Sequence, residues 1–199
     1  MVDPAMEHLR RYYRKQSVIY DATRWAFLFG RNRLLREVAK IHPSPRHVTE
    51  VGCGTGHNLV RFAKVFPEAR ITGVDLSEKM LALAAKKTDP FGERVTLKQK
   101  VQDDEFLDPC DVIFFSYSLS MMNPGWDHVL KGAVRGLKPN GILAAVDFHD
   151  SSWGWFKTHM ARHHVRMDGH LLPALASICR PSVSEVKSAY ASLWKYLLF

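Results

Sequence analysis

Between Val48 and Asn58 the chain reads Val48-Thr49-Glu50-Val51-Gly52-Cys53-Gly54-Thr55-Gly56-His57-Asn58, and no other run is as specific about chemistry. Glycines at alternate positions between an apolar stretch and an amphipathic one let the backbone come close to a ligand. They also leave the N–H groups of the first helical turn available to it. The spacing excludes two ligand classes. A dinucleotide fingerprint needs its third glycine where His57 stands, and a phosphate loop needs a Gly-Lys-Ser/Thr that does not follow. Cys53, Cys110 and Cys179 are odd in number and dispersed, which excludes a disulfide framework or a cysteine zinc site and fits a reducing, cytoplasmic setting. His163-His164 has no companion ligands at metal spacing, so no metal is expected.

The elements that must hold this run alternate in type. Residues 5–20 and 24–41 predict two Arg-rich helices, with Pro43 and Pro45 closing the second. A buried strand at 46–51 leads through the glycines into a helix with an apolar face of Leu59, Phe62, Ala63 and Phe66, stopped by Pro67. Strands at 69–74, 94–99, 111–116 and 141–147 and helices at 77–87 and 126–136 follow. Short apolar strands between amphipathic helices predict a parallel sheet covered on both faces. Residues 183–189 and 192–198 are too close together for an intervening helix and predict an antiparallel hairpin. With 199 residues, 46% of them apolar, the chain has material for one domain, 1–199, divided into an N-terminal helical lid (1–45) and a core (46–199). The apolar stretches Trp25–Phe29 and Ile113–Met122 fall short of the ~20 residues of a membrane span.

Glu50-x-Gly52-x-Gly54-x-Gly56 is similar to motif I of the class I S-adenosylmethionine-dependent methyltransferases, in which an acidic residue and three glycines wrap the methionine part of the cofactor. The resemblance implies a Rossmann-like α/β fold with a seven-stranded, mostly parallel sheet and a C-terminal antiparallel hairpin. It also implies S-adenosylmethionine as cofactor and S-adenosylhomocysteine as product. Ile71-Thr72-Gly73-Val74-Asp75 resembles the second strand, whose terminal carboxylate accepts both ribose hydroxyls. The alternative for Asp75 is an N-cap of the next helix. Leu76 and Met80 fall where apolar residues flank the adenine. The family often has Gly-Asp-Ala after the third strand, but Lys100-Val101-Gln102 stands here, so Val101 and Gln102 are expected at the adenine without that carboxylate. Cys53 and Ser116 complete the expected cofactor contacts.

Residues 19–33, 114–122 (Phe114-Phe115-Ser116-Tyr117-Ser118-Leu119-Ser120-Met121-Met122), 167–172 and 188–194 resemble the N-methyltransferases of betaine-lipid synthesis. That resemblance implies methylation of diacylglyceryl homoserine to the trimethylated lipid, and the enzyme making that substrate as a partner. A growing positive charge on the acceptor suits aromatic faces, and Tyr20 and Tyr117 are the favoured candidates among Tyr13, Tyr20, Tyr117, Trp155 and Tyr190. His149 is the candidate proton acceptor, with His170 beside it as an alternative.

The formal net charge is +8, and residues 1–47 hold 10 Lys/Arg against 4 Asp/Glu. In residues 9–20, Leu9, Tyr12, Tyr13, Ile19 and Tyr20 accompany Arg10, Arg11, Arg14 and Lys15, the pattern of an interfacial helix on anionic lipid. Peripheral membrane contact is therefore expected through residues 9–33. A basic chain also invites nucleic acid, but Ser116-Tyr117-Ser118 departs from the Asn/Asp-Pro-Pro-Tyr turn of amino-methylating nucleic-acid enzymes, and no nucleic-acid partner is expected. Other acceptors, such as phosphatidylethanolamine, a quinone or another small amine or carboxylate, stay open, as does a non-catalytic role.

Overall fold

The computed structural model describes residues 28–99 and 108–199. Seven strands form one sheet in the order β3-β2-β1-β4-β5-β7-β6. Strands β1 (His47–Val51), β2 (Arg70–Asp75), β3 (Val95–Gln99), β4 (Cys110–Ser116) and β5 (Leu137–Asp150) run parallel, while β6 (Glu185–Ala189) and β7 (Trp194–Leu198) pair antiparallel. This is the Rossmann-like methyltransferase arrangement expected from the glycine motif.

β1 is buried along its whole length between β2 and β4. Its register is fixed at the start by Asp111, whose Oδ2 accepts the N–H groups of Arg46 and His47 at 2.8 and 2.7 Å. One face of the sheet packs Phe62, Phe66, Phe114, Phe148 and Trp194 with α1 (Arg31–Ile41) and α2 (His57–Val65). The other face packs Phe115, Leu130, Leu171 and Leu197 with helices that include Trp126–Arg135.

The expected helix over 24–41 is shorter among the described residues. Gly30 has φ +80° and caps a helix that starts at Arg31, because Leu28–Gly30 form a turn. β5 extends well beyond 141–147 in both directions: Leu137 pairs with Cys110, so the Pro139-Asn140-Gly141 turn is carried inside the strand as an irregularity. After α3 (Glu78–Thr88) and α4 (Trp126–Arg135), residues 148–182, left without elements by periodicity, contain two short helices, α5 (Gly154–Ala161) and α6 (Leu171–Ile178). No helix of the described residues is long and apolar enough to cross a membrane.

Candidate active site

All five parallel strands end on one edge of the sheet, and the glycine run lies there between β1 and α2. Gly52, Gly54 and Gly56 all have positive φ (75°, 53° and 77°), where a side chain is strained. Space adds a second constraint. A Cβ on Gly52 would stand 2.4 Å from Ser118 Cβ, and one on Gly56 would stand 2.9 Å from Ala84 Cβ. The loop is thus pressed against the turn after β4 on one side and against α3 on the other.

Its donors are largely used to hold its own shape. Gly52 N and Cys53 N both donate to Val74 O, at 2.8 and 3.0 Å. Gly54 N donates to Asp75 Oδ2 at 2.8 Å, and Asp75 Oδ1 accepts Ser77 N at 2.9 Å. The carboxylate is thereby fixed between the glycine loop and the start of α3, with lone pairs left for further donors. The N-cap weighed for Asp75 belongs instead to Ser77, whose Oγ accepts Met80 N at 3.4 Å. Glu50 is buried at the end of β1, and its Oε1 accepts Asn58 Nδ2 at 2.7 Å. This clamp ties strand to helix across the loop, and sequence reasoning missed Asn58. Asn58 closes the quoted run, but only the fold turns it back to Glu50.

Cys53 is buried with its thiol 3.8 Å from Gly54 O, so any ligand contact there falls to its backbone. Met80 is buried in the core and Leu76 is half-buried, its carbonyl accepting Gln99 Nε2 at 3.2 Å. Ser116 stands one residue past the Val51–Phe115 pairing, and its buried Oγ has no hydrogen-bond partner among the described residues. Val101, Gln102 and Tyr20, and the expected interfacial helix, lie outside the described residues.

The turn after β4 is the second component. Tyr117 has φ +55° and is 3% exposed. Its ring meets Phe148 edge-on at 4.7 Å, and its hydroxyl donates to Phe29 O at 2.9 Å. Burial, followed by the nearby Asp147 carboxyl, pushes its phenol well above the ordinary range. Ser118, also missed from the sequence, donates from Oγ to Val51 O at 2.9 Å. Beneath this turn lies Asp147, fully buried, accepting Ser120 N at 3.2 Å and Phe148 N at 2.8 Å. Burial raises its carboxyl to about 6, and the hydrogen bonds oppose that rise.

The third component lies at the end of β5 and beyond it. His149 accepts Gly169 N on its carbonyl at 2.8 Å, while its ring Nδ1 is buried with no hydrogen-bond partner among the described residues. Burial holds its imidazole below the usual range, the Asp150 carboxylate opposing that shift. His170 Nδ1 pairs with Asp168, and its Nε2 is likewise buried without a hydrogen-bond partner. Trp126 meets the His170 ring at 4.9 Å. On the opposite face Phe29, Tyr117, Phe148 and Tyr196 surround the buried Trp194, with ring centroids 5.1–6.4 Å from it. Segments 114–122 and 188–194, separate in sequence, meet where the Tyr117 ring approaches Trp194 at 6.4 Å, and residues next to segment 167–172 join it to the first of them. Arg166 N donates to Ser120 O at 2.8 Å, and Ser151 Oγ donates to Leu193 O at 2.6 Å.

Residues 49–143 match the family model described as a methyltransferase domain. Over 105 residues the chain is 33% identical to trans-aconitate 2-methyltransferase of Acidovorax sp. (strain JS42), covering 52% of this chain and 38% of that one. It is 33% identical over 155 residues to demethylmenaquinone methyltransferase of Symbiobacterium thermophilum, covering 71% of this chain and 59% of that one. The chain therefore spans well under two thirds of the length of these curated relatives. Among solved structures, the N-methyltransferase NodS from Bradyrhizobium japonicum WM9 in complex with S-adenosylhomocysteine is similar with a TM-score of 0.72 and 14% identity, covering 95% of each chain.

Proposed function

We propose that this chain, a class I S-adenosylmethionine-dependent methyltransferase by fold and by the match over residues 49–143, transfers methyl groups to the amine of a lipid, diacylglyceryl homoserine, forming its trimethylated betaine. The observation that carries the transferase reading is the glycine loop. Three positive-φ glycines, the Asp75 carboxylate fixed against Gly54 N, and the unpartnered buried hydroxyl of Ser116 converge at the carboxyl end of β1 and β4. These groups fit a ligand with a ribose diol and a polar amino-acid end. Glu50 and the backbone of Gly52 to Gly56 would hold that polar end, and Asp75 the diol. Leu76 and Met80 would lie along the base, with Val101 and Gln102. When bound, S-adenosylmethionine supplies a methyl group activated on a sulfonium.

The chain's own residues have to align an unprotonated amine and keep water out. His149, whose ring Nδ1 has no hydrogen-bond partner among the described residues, is the group proposed to receive the ammonium proton. Tyr20 and Tyr117 are the aromatic residues proposed to meet the cation that accumulates with each methyl, Tyr117 from a turn that leaves its ring only 3% exposed. The resemblance of residues 114–122, 167–172 and 188–194 to betaine-lipid N-methyltransferases supports the lipid acceptor, and the first and last of these segments meet at Tyr117 and Trp194. A second reading, a small soluble acceptor, draws on the relatives named for trans-aconitate and demethylmenaquinone. Incubation with labelled cofactor and a lipid extract containing diacylglyceryl homoserine separates them. Label in the betaine lipid supports the proposal. Label confined to soluble products or to RNA overturns it.

A further inference from the structure

Large aromatic side chains are exposed at four described positions: Phe29 (38%), Tyr190 (49%), Trp153 (53%) and Trp155 (62%). Phe29, Tyr190 and Trp153 lie around the β6–β7 turn, and Trp155 follows Trp153 at the start of α5. Phe29 meets Tyr190 edge-on at 5.4 Å. Tyr190 opens the turn between β6 and β7, and the carbonyl of Leu193 in that turn accepts Ser151 Oγ, which in turn accepts Trp153 N at 3.0 Å. The remaining exposed large apolar residues, Ile41, Val65, Ile178 and Val186, are aliphatic. A folded chain covers tryptophan where it can, since each offers ~150–250 Å² of largely apolar surface. Two of them more than half exposed, one residue apart, mark a surface made for contact.

The charge around them narrows the partner. From Ser151 to Met167 the chain has no Asp or Glu and carries Lys157, Arg162 and Arg166. On α5 and its C-cap, Trp155, His159 and Arg162 recur at helical spacing and are exposed, while Phe156 on the other side is buried in the core. Lys157 is held by Asp150 at 2.5 Å and Arg166 by Asp168 at 2.7 Å, whereas Arg162 has no ion pair among the described residues. Too few cations are left to track a nucleic-acid backbone, which needs a row of phosphate contacts. Exposed tryptophans with a few cations suit the headgroup region of an anionic bilayer, where an indole buries its apolar body and keeps its N–H wet.

We infer that the aromatic rim, with Trp153 and Trp155 as its anchors and Arg162 beside them, docks on an anionic membrane surface and turns the acceptor side of the cleft toward the bilayer. The biological purpose of this docking rests on the lipid-acceptor reading above, but its test does not. The full chain, without cofactor or acceptor, is sedimented with vesicles of phosphatidylcholine alone or mixed with phosphatidylglycerol. Binding is expected with the mixed vesicles, weakened by salt. The Trp153→Ala/Trp155→Ala variant should bind roughly tenfold more weakly or worse, and Arg162→Glu should lose mainly the preference for phosphatidylglycerol. Both variants should keep the wild-type melting temperature and affinity for S-adenosylhomocysteine, since all three positions are exposed. Absence of wild-type binding, unchanged binding by the double variant, stronger capture of single-stranded RNA than of vesicles, or a dimer that the tryptophan substitutions dissociate would each overturn the proposal. Vesicle binding without lipid methylation would leave this inference standing and remove the acceptor reading instead.

Discussion

The two halves of the site are built in opposite ways. On the β1–β3 side, binding groups are mostly backbone, and the polar side chains are held by one another: Asp75 accepts Gly54 N and Ser77 N, and Glu50 accepts Asn58 Nδ2. On the β4–β7 side, the groups are side chains, and His149 Nδ1, His170 Nε2 and Trp194 Nε1 are all buried without a hydrogen-bond partner among the described residues. Burying such a group unpaired costs about 1–3 kcal/mol. A fold keeps that cost where a ligand will supply the partner or where shape has priority over polarity. The first half is largely braced before its ligand arrives, whereas the second leaves several ring nitrogens for a ligand to meet.

The contrast is broken most forcefully at Gly52. Alanine there places Cβ at φ +75° and within 2.4 Å of Ser118 Cβ. Destabilisation of about 3–4 kcal/mol is expected in urea unfolding, with loss of measurable S-adenosylhomocysteine binding in calorimetry. The double variant Gly52→Ala/Ser118→Gly removes the clash with Ser118 but keeps the backbone strain and loses the Ser118 Oγ bond to Val51 O, so it should recover part of the stability. Equal stability of Gly52→Ala and wild type would mean that the loop is not pressed against the β4 turn as described.

This difference also governs what the sequence reveals. Positive φ beside close-packed neighbours leaves glycine as the residue that fits, so the cofactor half is written in residue types at fixed spacing, and the strand order follows from the alternation around it. Asn58 and Ser118 escaped because their partners, Glu50 and Val51 O, are chosen by folding rather than by a pattern. The rim escaped further. His149 and Gly169, or Ser151 and Leu193, are brought together by long-range chain paths, and residues 148–182 carry too little periodicity to place α5 and α6. Tyr117 was legible as a residue of interest, but not the positive φ and the hydroxyl bond to Phe29 that its place in the turn imposes.

Asp147 joins the two halves, since it holds the turn that presses on Gly52, and its titration tests that link. Its folded carboxyl lies near 6, above its ordinary value of 3.8, so the folded state binds the proton more tightly. Its contribution to stability is therefore greatest below pH 4, falls as pH rises to about 6, and is constant above that, a change of about 3 kcal/mol. Carboxylates such as Asp111 and Asp150, held below their ordinary range, act in the opposite direction, losing stability as pH falls. The readout is thus the difference between wild type and Asp147→Asn in urea unfolding at several pH values. It should change across pH 4–6 and be flat above, and a difference that is flat throughout would remove Asp147 from the pH response.

Within the cofactor half, Asp75→Asn keeps the shape but turns one acceptor oxygen into a donor facing an N–H of Gly54 or Ser77. Affinity for S-adenosylhomocysteine should fall about thirtyfold, some 2 kcal/mol, in calorimetry. The melting temperature should fall modestly as well, because one loop N–H loses its acceptor. Unchanged affinity would detach the carboxylate from the ligand and reduce it to a brace for the loop.

The smallest effect is the most informative about the rim. Tyr117→Phe deletes only the hydroxyl that donates to Phe29 O and keeps the ring against Phe148 and near Trp194. Stability should drop by about 1 kcal/mol, the net worth of one hydrogen bond, and S-adenosylhomocysteine affinity should stay at the wild-type value. If the ring face serves the acceptor cation, kcat on the lipid survives this substitution and falls in Tyr117→Leu. The fall should be larger for the later, more charged acceptors in the methylation series than for the primary amine. If instead Tyr117 only anchors the chain at Phe29, the two variants reduce activity in proportion to their stability, and all three methylation steps suffer alike.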